Sequence, residues 1–240
     1  MEQIAEGVHV VRGGLPRVMN VYLIEDQGRM TMFDAGVVGM DKALLRAAAP
    51  HGGIGRIVLG HSHADHRGAA PAIAETGVPV FCHEAELADA EADGGYHYFK
   101  LHDLNLFSRK MFEHSLTKTW DGGPVPIEGV VTEGDEVAGF QVIHLPGHAP
   151  GLIGLYRERD GLVLSSDAVY TLNPLNARKG APRIPIDAFN MDTEMAKASA
   201  LKLSAVDPKI VWPGHAEPIE HDAQAVLDEL GRKGGVLGKS

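Results

Sequence analysis

The stretch Gly60-His61-Ser62-His63-Ala64-Asp65-His66-Arg67-Gly68 places three imidazoles and one carboxylate within six consecutive positions. It follows Arg56-Ile57-Val58-Leu59, which reads as a buried strand. Titratable side chains that pack poorly collect at a strand's end when they share a ligand. Alternate residues of an extended segment point the same way, so His61 and His63 are placed to hold one cation. Asp65 and His66 follow where the chain turns into a helix, and their side chains then face a second cation. Imidazole combined with a hard carboxylate oxygen suits a borderline divalent metal.

Three more ligand-type residues stand alone at the ends of expected strands. His148 lies in Leu145-Pro146-Gly147-His148-Ala149-Pro150-Gly151, Asp167 in Leu164-Ser165-Ser166-Asp167, and His215 in Trp212-Pro213-Gly214-His215. The pattern predicts strands at Val8–Arg12, Val18–Glu25, Arg29–Phe33, 56–59, 78–82, Val130–Thr132, Phe140–Leu145, Leu152–Tyr156, Leu162–Ser165 and Lys209–Trp212. Helices are expected at Asp41–Ala49, about Ala69–Glu75, Glu84–Ala92, Ile186–Ser204 and His221–Lys233. Two halves, each with strands followed by helix, imply an α/β protein: a four-layer αβ/βα sandwich of two mixed sheets with helices outside, forming a single domain over 1–240.

Residues 94–120 break this rhythm. They hold Tyr96, Tyr98, Phe99, Phe107, Phe112 and Trp120, six of the chain's fourteen aromatics. Leu101, Leu104, Phe107 and Met111 have helical spacing, so the segment reads as a helical, aromatic-rich insertion serving as a lid, a homodimer surface or both. The Pro- and Asn-rich stretch Thr171–Pro185 reads as a long irregular loop near the metal mouth. Leu15 and Met19, beside Gly13-Gly14, together with Phe107 and Met111, are candidate contacts for an apolar substrate.

With 240 residues, 44% of them hydrophobic, the chain can bury a real core. A net charge of −10 and the lack of any Lys/Arg run argue against a nucleic-acid partner. The single cysteine, Cys82, excludes a disulfide within the chain and reads as a small buried hydrophobe. The N-terminus has neither a basic nor an apolar signal-peptide region, and no apolar run is long enough to span a bilayer, so no membrane partner and a cytoplasmic location are expected.

The ordered set Phe33-Asp34-Ala35-Gly36, His61-Ser62-His63-Ala64-Asp65-His66, His148, Asp167 and His215 resembles the motifs of the metallo-β-lactamase superfamily over nearly the whole chain. The resemblance implies that fold's sandwich, with two divalent metal ions at the sheet edges; zinc is the first choice, with Fe, Co, Mn or Ni as alternatives. His61, His63 and His148 would hold one ion; Asp65, His66 and His215 the other. Asp167 would bridge them, and Asp34 would stand behind the ligands and orient them. Gly60 occupies a position where many relatives carry Ser or Thr.

The branch is read from what surrounds these residues. Zinc β-lactamases usually lack the bridging aspartate and carry a secretion signal. Glyoxalase II enzymes add a C-terminal glutathione-binding region, whereas 25 residues follow His215 here. Persulfide-oxidising relatives use a single iron and do not need the second set. Asp167-Ala168-Val169-Tyr170 resembles the N-acyl homoserine lactonases, in which the tyrosine reaches the substrate carbonyl. The resemblance thus implies a metal-dependent hydrolase that opens an acylated lactone or ester by attack of a metal-bridging hydroxide, with Asp65 moving the proton and Tyr170 stabilising the oxyanion. The alternatives are a small acyl thioesterase of glyoxalase II type, or a mononuclear-iron sulfur or oxygen redox enzyme.

Overall fold

The computed structural model describes residues 1–14 and 17–233. The first sheet is built from β1 (Glu2–Ala5), β2 (Val8–Gly13), β3 (Met19–Asp26), β4 (Arg29–Phe33), β5 (Ile54–Val58), β6 (Val80–Cys82) and β7 (Gly129–Val130), in that spatial order. Its first four strands form an antiparallel meander; from β4 to β7 neighbouring strands run parallel. The second sheet contains β8 (Glu136–Val137), β9 (Phe140–His144), β10 (Ile153–Arg157), β11 (Leu162–Ser166) and β14 (Ile210–Pro213), ordered β14-β11-β10-β9-β8. Only the β11–β14 pair within it is parallel.

Alternation along the strands decides how the sheets stack. In β3, Tyr22 and Ile24 face Phe33, Val58, Phe140, Ile153 and Trp212 in the apolar layer shared by the two sheets. Val21 and Leu23 face the other way, towards Leu44 of α1 (Asp41–Ala48) and Ile73 of α3 (Ala70–Ala74). On the far side Ile143, Val163 and Val211 meet Ala200 and Leu203 of α6 (Thr193–Ser204) and Leu227 and Leu230 of α7 (Ala223–Lys233). Three apolar layers therefore separate helix, sheet, sheet and helix, the expected sandwich. Strands buried on both faces read as near-continuous apolar runs, which is why the sequence reveals them. Cys82 is buried and free, and burial pushes its thiol pKa up to about 12, so it packs as a small hydrophobe. Among the described residues no helix is long and apolar enough to cross a membrane.

Several local expectations change. Thr171–Pro185 is not irregular: Tyr170–Asn173 (β12) and Arg178–Arg183 (β13) pair as a separate antiparallel hairpin. The expected helix Ile186–Ser204 is a 3₁₀ turn at Asp187–Phe189 followed by α6. The helix restarts because Asp192 sits extended and its carboxylate accepts the Met195 amide at 2.9 Å, an N-cap. Glu84–Ala92 is likewise a 3₁₀ turn followed by the short α4 (Leu87–Ala90). The insertion has one full helix, α5 (Leu106–His114), continuing into a π-helical turn at Ser115–Thr119. Leu101 and Leu104 lie outside α5, and its buried contacts come from Ser108 and Phe112 rather than from Phe107. The short strands β1 and β8 carry no sequence signal strong enough to be expected.

Candidate metal centre

The gathered residues all stand where strands end. After β5 the chain stays extended through His63 (φ −60°, ψ 151°), which caps the four-residue α2 (Ala64–Arg67). That switch from extended to helical backbone separates His61 and His63 from Asp65 and His66. Asp34 follows β4, Asp167 follows β11 and His215 follows β14; His148 lies in the Pro/Gly loop after β9. The Gly214 amide donates to the Ser166 carbonyl at 2.7 Å, fixing the turn that carries His215 against the turn that carries Asp167. A Cβ on Gly214 would meet Asp167 Oδ1 at 2.3 Å, so this turn requires glycine.

The structure brings His61, His63, Asp65, His66, His148, Asp167 and His215 together. Donor atoms of His61, His63 and His148 lie within 4.8 Å of one another, as do those of Asp65, His66 and His215. Asp167 Oδ2 stands between the groups, 3.1 Å from His215 Nε2, 3.2 Å from His66 Nε2 and 3.6 Å from His148 Nε2. Asp65 Oδ2 is 3.5 Å from His215 Nε2. All seven are buried except Asp65, which is partly open.

Each of four rings turns one nitrogen outwards to a protein group and the other towards the centre. His61 Nδ1–H donates to Ser166 Oγ at 3.1 Å, and that hydroxyl donates to Asp34 Oδ2 at 2.9 Å. His66 Nδ1–H donates to Asp34 Oδ2 at 2.9 Å, and His148 Nδ1–H to Asn190 Oδ1 at 3.1 Å. His63 Nε2 and the Tyr98 hydroxyl are hydrogen-bonded at 2.6 Å. The opposite nitrogens of His61, His63 and His148 face inwards, while His66 Nε2 lies 3.2 Å from Asp167 Oδ2 and shares its proton with that carboxylate. His61 Nε2 and His63 Nδ1 are 3.0 Å apart, and the buried His148 Nε2 and Asp167 Oδ1 have no protein partner. Buried imidazole nitrogens gathered around one carboxylate, with His148 Nε2 and Asp167 Oδ1 left unpartnered, are the donor chemistry of a divalent-metal site, so the residues fit such a metal.

The electrostatics agree. Burial and the neighbouring imidazoles hold His61 and His63 well below the usual histidine value, and burial also lowers His148; these rings stay neutral, the state a metal ligand needs. Burial acts to raise Asp167, but His215 and His66 outweigh it and keep its carboxyl well below the usual range. Burial likewise opposes a charge on His66, yet Asp167 and Asp34 carry its value well above the usual one. Burial, Asp167 and Asp65 push the Tyr170 phenol well up, so it remains a proton donor at neutral pH.

Four residues that sequence reasoning missed support the centre. Ser166 fills the space that a side chain on residue 60 would occupy: a Gly60 Cβ would lie 2.5 Å from its hydroxyl. The departure at Gly60 is thus matched by Ser166, which is held in the left-handed region (φ 44°). Asn190 orients His148, and no local signal marks it. Glu86 is fully buried; one carboxylate oxygen accepts the Ser62 amide and the other the Gly151 amide, both at 2.7 Å. It ties the loop of His61 and His63 to the loop of His148. Tyr98 holds the His63 ring from the aromatic insertion. Tyr98→Phe is expected to weaken metal at the His61–His63–His148 group by about ten- to a hundredfold, measured by chelator competition, with the other group unaffected. Equal affinities in the two proteins would reduce Tyr98 to packing.

Behind Gly151, His83 stacks on His144 with ring centroids 4.1 Å apart. Burial, then His144, lowers the His83 pKa. The unfolded chain therefore takes up this proton at higher pH than the folded protein, and stability is lost as pH falls below about 6.5. His83→Asn keeps an acceptor for the Ala85 amide. It is expected to move the acid-unfolding midpoint, followed by tryptophan fluorescence, to lower pH; an unmoved midpoint would assign acid lability elsewhere.

A cavity of about 380 Å³ opens onto the centre and is lined in part by His63, Asp65, His148, Asp167, Tyr170 and His215. Its apolar walls come from Val18 and Met19, from Phe99, Met111, Phe112, Leu116 and Trp120 of the insertion, and from Leu172 and Leu175 of the hairpin. Met19 and Met111 line it. Phe107 does not: it is 78% exposed. One turn of helix separates it from Met111, but the backbone turns Phe112 rather than Phe107 towards the core. Leu15 lies outside the described residues.

Comparison with known proteins agrees with this geometry. The chain is 29% identical over 234 residues to the probable metallo-hydrolase YflN of Bacillus subtilis (strain 168), covering 90% of this chain and 86% of that one. It is 26% identical to TTHA1623, solved in a di-iron-bound form, with a TM-score of 0.64 over 90% of this chain and 96% of that one. The metallo-beta-lactamase family protein TTHA1429 from Thermus thermophilus shares the fold with a TM-score of 0.69, 24% identity, and coverage of 95% and 79%. The metallo-beta-lactamase superfamily profile matches residues 14–215, a span reaching from the loop beside the cavity to the last of the gathered histidines, and the chain belongs to that superfamily.

Proposed function

We propose that this protein is a dinuclear metal-dependent hydrolase that opens a lactone or ester bond in an acylated small molecule. The carrying observation is the donor set: His61, His63 and His148 form one group and Asp65, His66 and His215 another, the donor atoms of each within 4.8 Å of one another, with Asp167 Oδ2 between the two. His61, His63 and His148 would hold one divalent ion, Asp65, His66 and His215 the other, with Asp167 shared; zinc or iron suits these ligands. When bound, the ions supply Lewis-acid polarisation and lower the pKa of a water from about 15.7 to about 7.

The chain's own groups do the rest. The apolar walls hold the acyl portion and exclude bulk water from the carbonyl. The Tyr170 hydroxyl, kept protonated, donates to the oxygen on which charge develops. Asp65, partly open to the cavity, takes the proton released by the attacking water and passes it to the leaving alkoxide. The chain contains no Gly-x-Ser-x-Gly elbow, so a serine nucleophile has no support.

Metal-stripped protein reloaded with zinc, iron or manganese would be assayed on an acyl lactone, an aryl ester, an acyl thioester, a phosphodiester and a β-lactam. The expected order puts lactone and ester first, with two ions per chain by elemental analysis. A thioester preference would select the thioesterase alternative, one iron per chain the redox alternative. Full activity in the stripped protein would end the reading.

A further inference from the structure

The charge around the cavity limits what can fill it. Among the described residues lining it there is no Lys or Arg, whereas Asp65 and Asp167 both contribute. The polar lining away from the centre comes from uncharged groups such as Ser115 and Asn176.

Several basic residues nearby in the fold are engaged by carboxylates, and Arg17, Lys110, Lys118 and Arg178, which stand close by in sequence to wall residues, do not themselves line the cavity. Arg12 on β2 and Lys179 on the hairpin both pair with Glu217. On the insertion, Lys100 pairs with Asp187 at 3.0 Å and Arg109 with Glu113 at 2.8 Å. Arg67, fully buried behind the centre, is consumed by Asp121 and by the carbonyls of Asp89, Ala90 and Ala92. An anion pushed between Leu116, Phe112 and Leu172 would lose its water without gaining a counter-charge, a cost that an apolar group avoids. The chain's net charge of −10 adds no compensation.

Resting on the hydrolase reading, we infer that the cavity selects substrates by charge at the end remote from the scissile bond: it takes a neutral, apolar acyl chain and rejects one that ends in a carboxylate or phosphate. Half-esters of dicarboxylic acids and thioesters of anionic peptides such as glutathione fall in the rejected class. The ions of the centre do not relieve this, because they meet the carbonyl end of the substrate and the walls meet the other end.

The test uses two esters of one leaving group on the fully metallated protein: nitrophenyl hexanoate and the nitrophenyl half-ester of adipic acid. They differ in ending as methyl or carboxylate. The neutral ester is expected to have a kcat/KM about a hundredfold higher or more. Leu175, 41% exposed on the hairpin turn and lining the cavity, can carry a cation without disturbing the core. Leu175→Lys is expected to narrow the ratio at least tenfold, by gain on the charged ester, and to lose that gain in high salt. A wild-type ratio below threefold, or a ratio that Leu175→Lys leaves unchanged, overturns the charge selection while the hydrolase reading stands. Hydrolysis of neither ester, nor of the acyl lactone, by protein holding two ions removes both.

Discussion

Asp167→Asn is expected to lose metal and nearly all turnover. Asp167 is 1% exposed, and its Oδ2 faces His66, His148 and His215 at once, so it is the one side chain that both ligand groups share. Asparagine has the same shape, and the fold needs no repacking to accept it. It lacks the negative charge, however, and its NH₂ either turns a donor towards the centre or is spent on a histidine lone pair. Partners that merely orient metal ligands cost about ten- to a hundredfold when removed, so loss of the shared charge should cost more, on the order of a thousandfold in kcat/KM. Elemental analysis should find fewer than two ions per chain, while circular dichroism keeps its native form. Native metal content with native turnover would remove Asp167 from the centre.

Tyr170→Phe separates chemistry from metal binding. The Tyr170 ring packs edge-on against His215 at 5.3 Å and against His148 at 6.0 Å, contacts that phenylalanine keeps. Only the hydroxyl is lost. Because burial and the two carboxylates hold its pKa well above 10, that hydroxyl is a proton donor over the whole working pH range. One donor aimed at a developing oxyanion is worth about 10² to 10³ in kcat. Lactone opening should therefore slow at least tenfold and by as much as that range, with KM little changed and both ions retained. The pH profile should keep its shape, since Tyr170 does not titrate there. An unchanged rate would make Tyr170 a packing residue and remove the main support for a lactonase over other hydrolases.

Much of the centre was legible because it is written locally. The His61–His66 cluster shows its density in six residues, and His148, Asp167 and His215 each follow an apolar strand. Strands buried on both faces announce themselves as apolar runs, so their ends can be found, and ligand-type residues at those ends stand out. The residues that hold the ligands were not legible. Ser166, Asn190, Glu86 and Tyr98 reach the centre across 24 to 105 positions of sequence, from a strand end, a 3₁₀ turn and the insertion. A hydrogen bond at that separation leaves no periodic trace. The hairpin Tyr170–Arg183 was hidden for another reason: its Pro, Asn and Gly residues signal turns, while its pairing is supplied by the partner strand.

The sequence by itself determined which ligand-type residues stand at the strand ends and how the layers are ordered, because residue type at a strand end and alternation along a strand are local properties. Tertiary structure alone decided the division of labour. It chose which ring nitrogens face inwards, placed Asp167 between the two groups, and closed the cavity with walls from three separate segments. It also left the described walls without a cation, and it brought Arg12, Lys100 and Lys179 to carboxylates on distant elements. Such pairings depend on which elements meet, and that is set by burial of the three apolar layers rather than by any residue's neighbours in the chain.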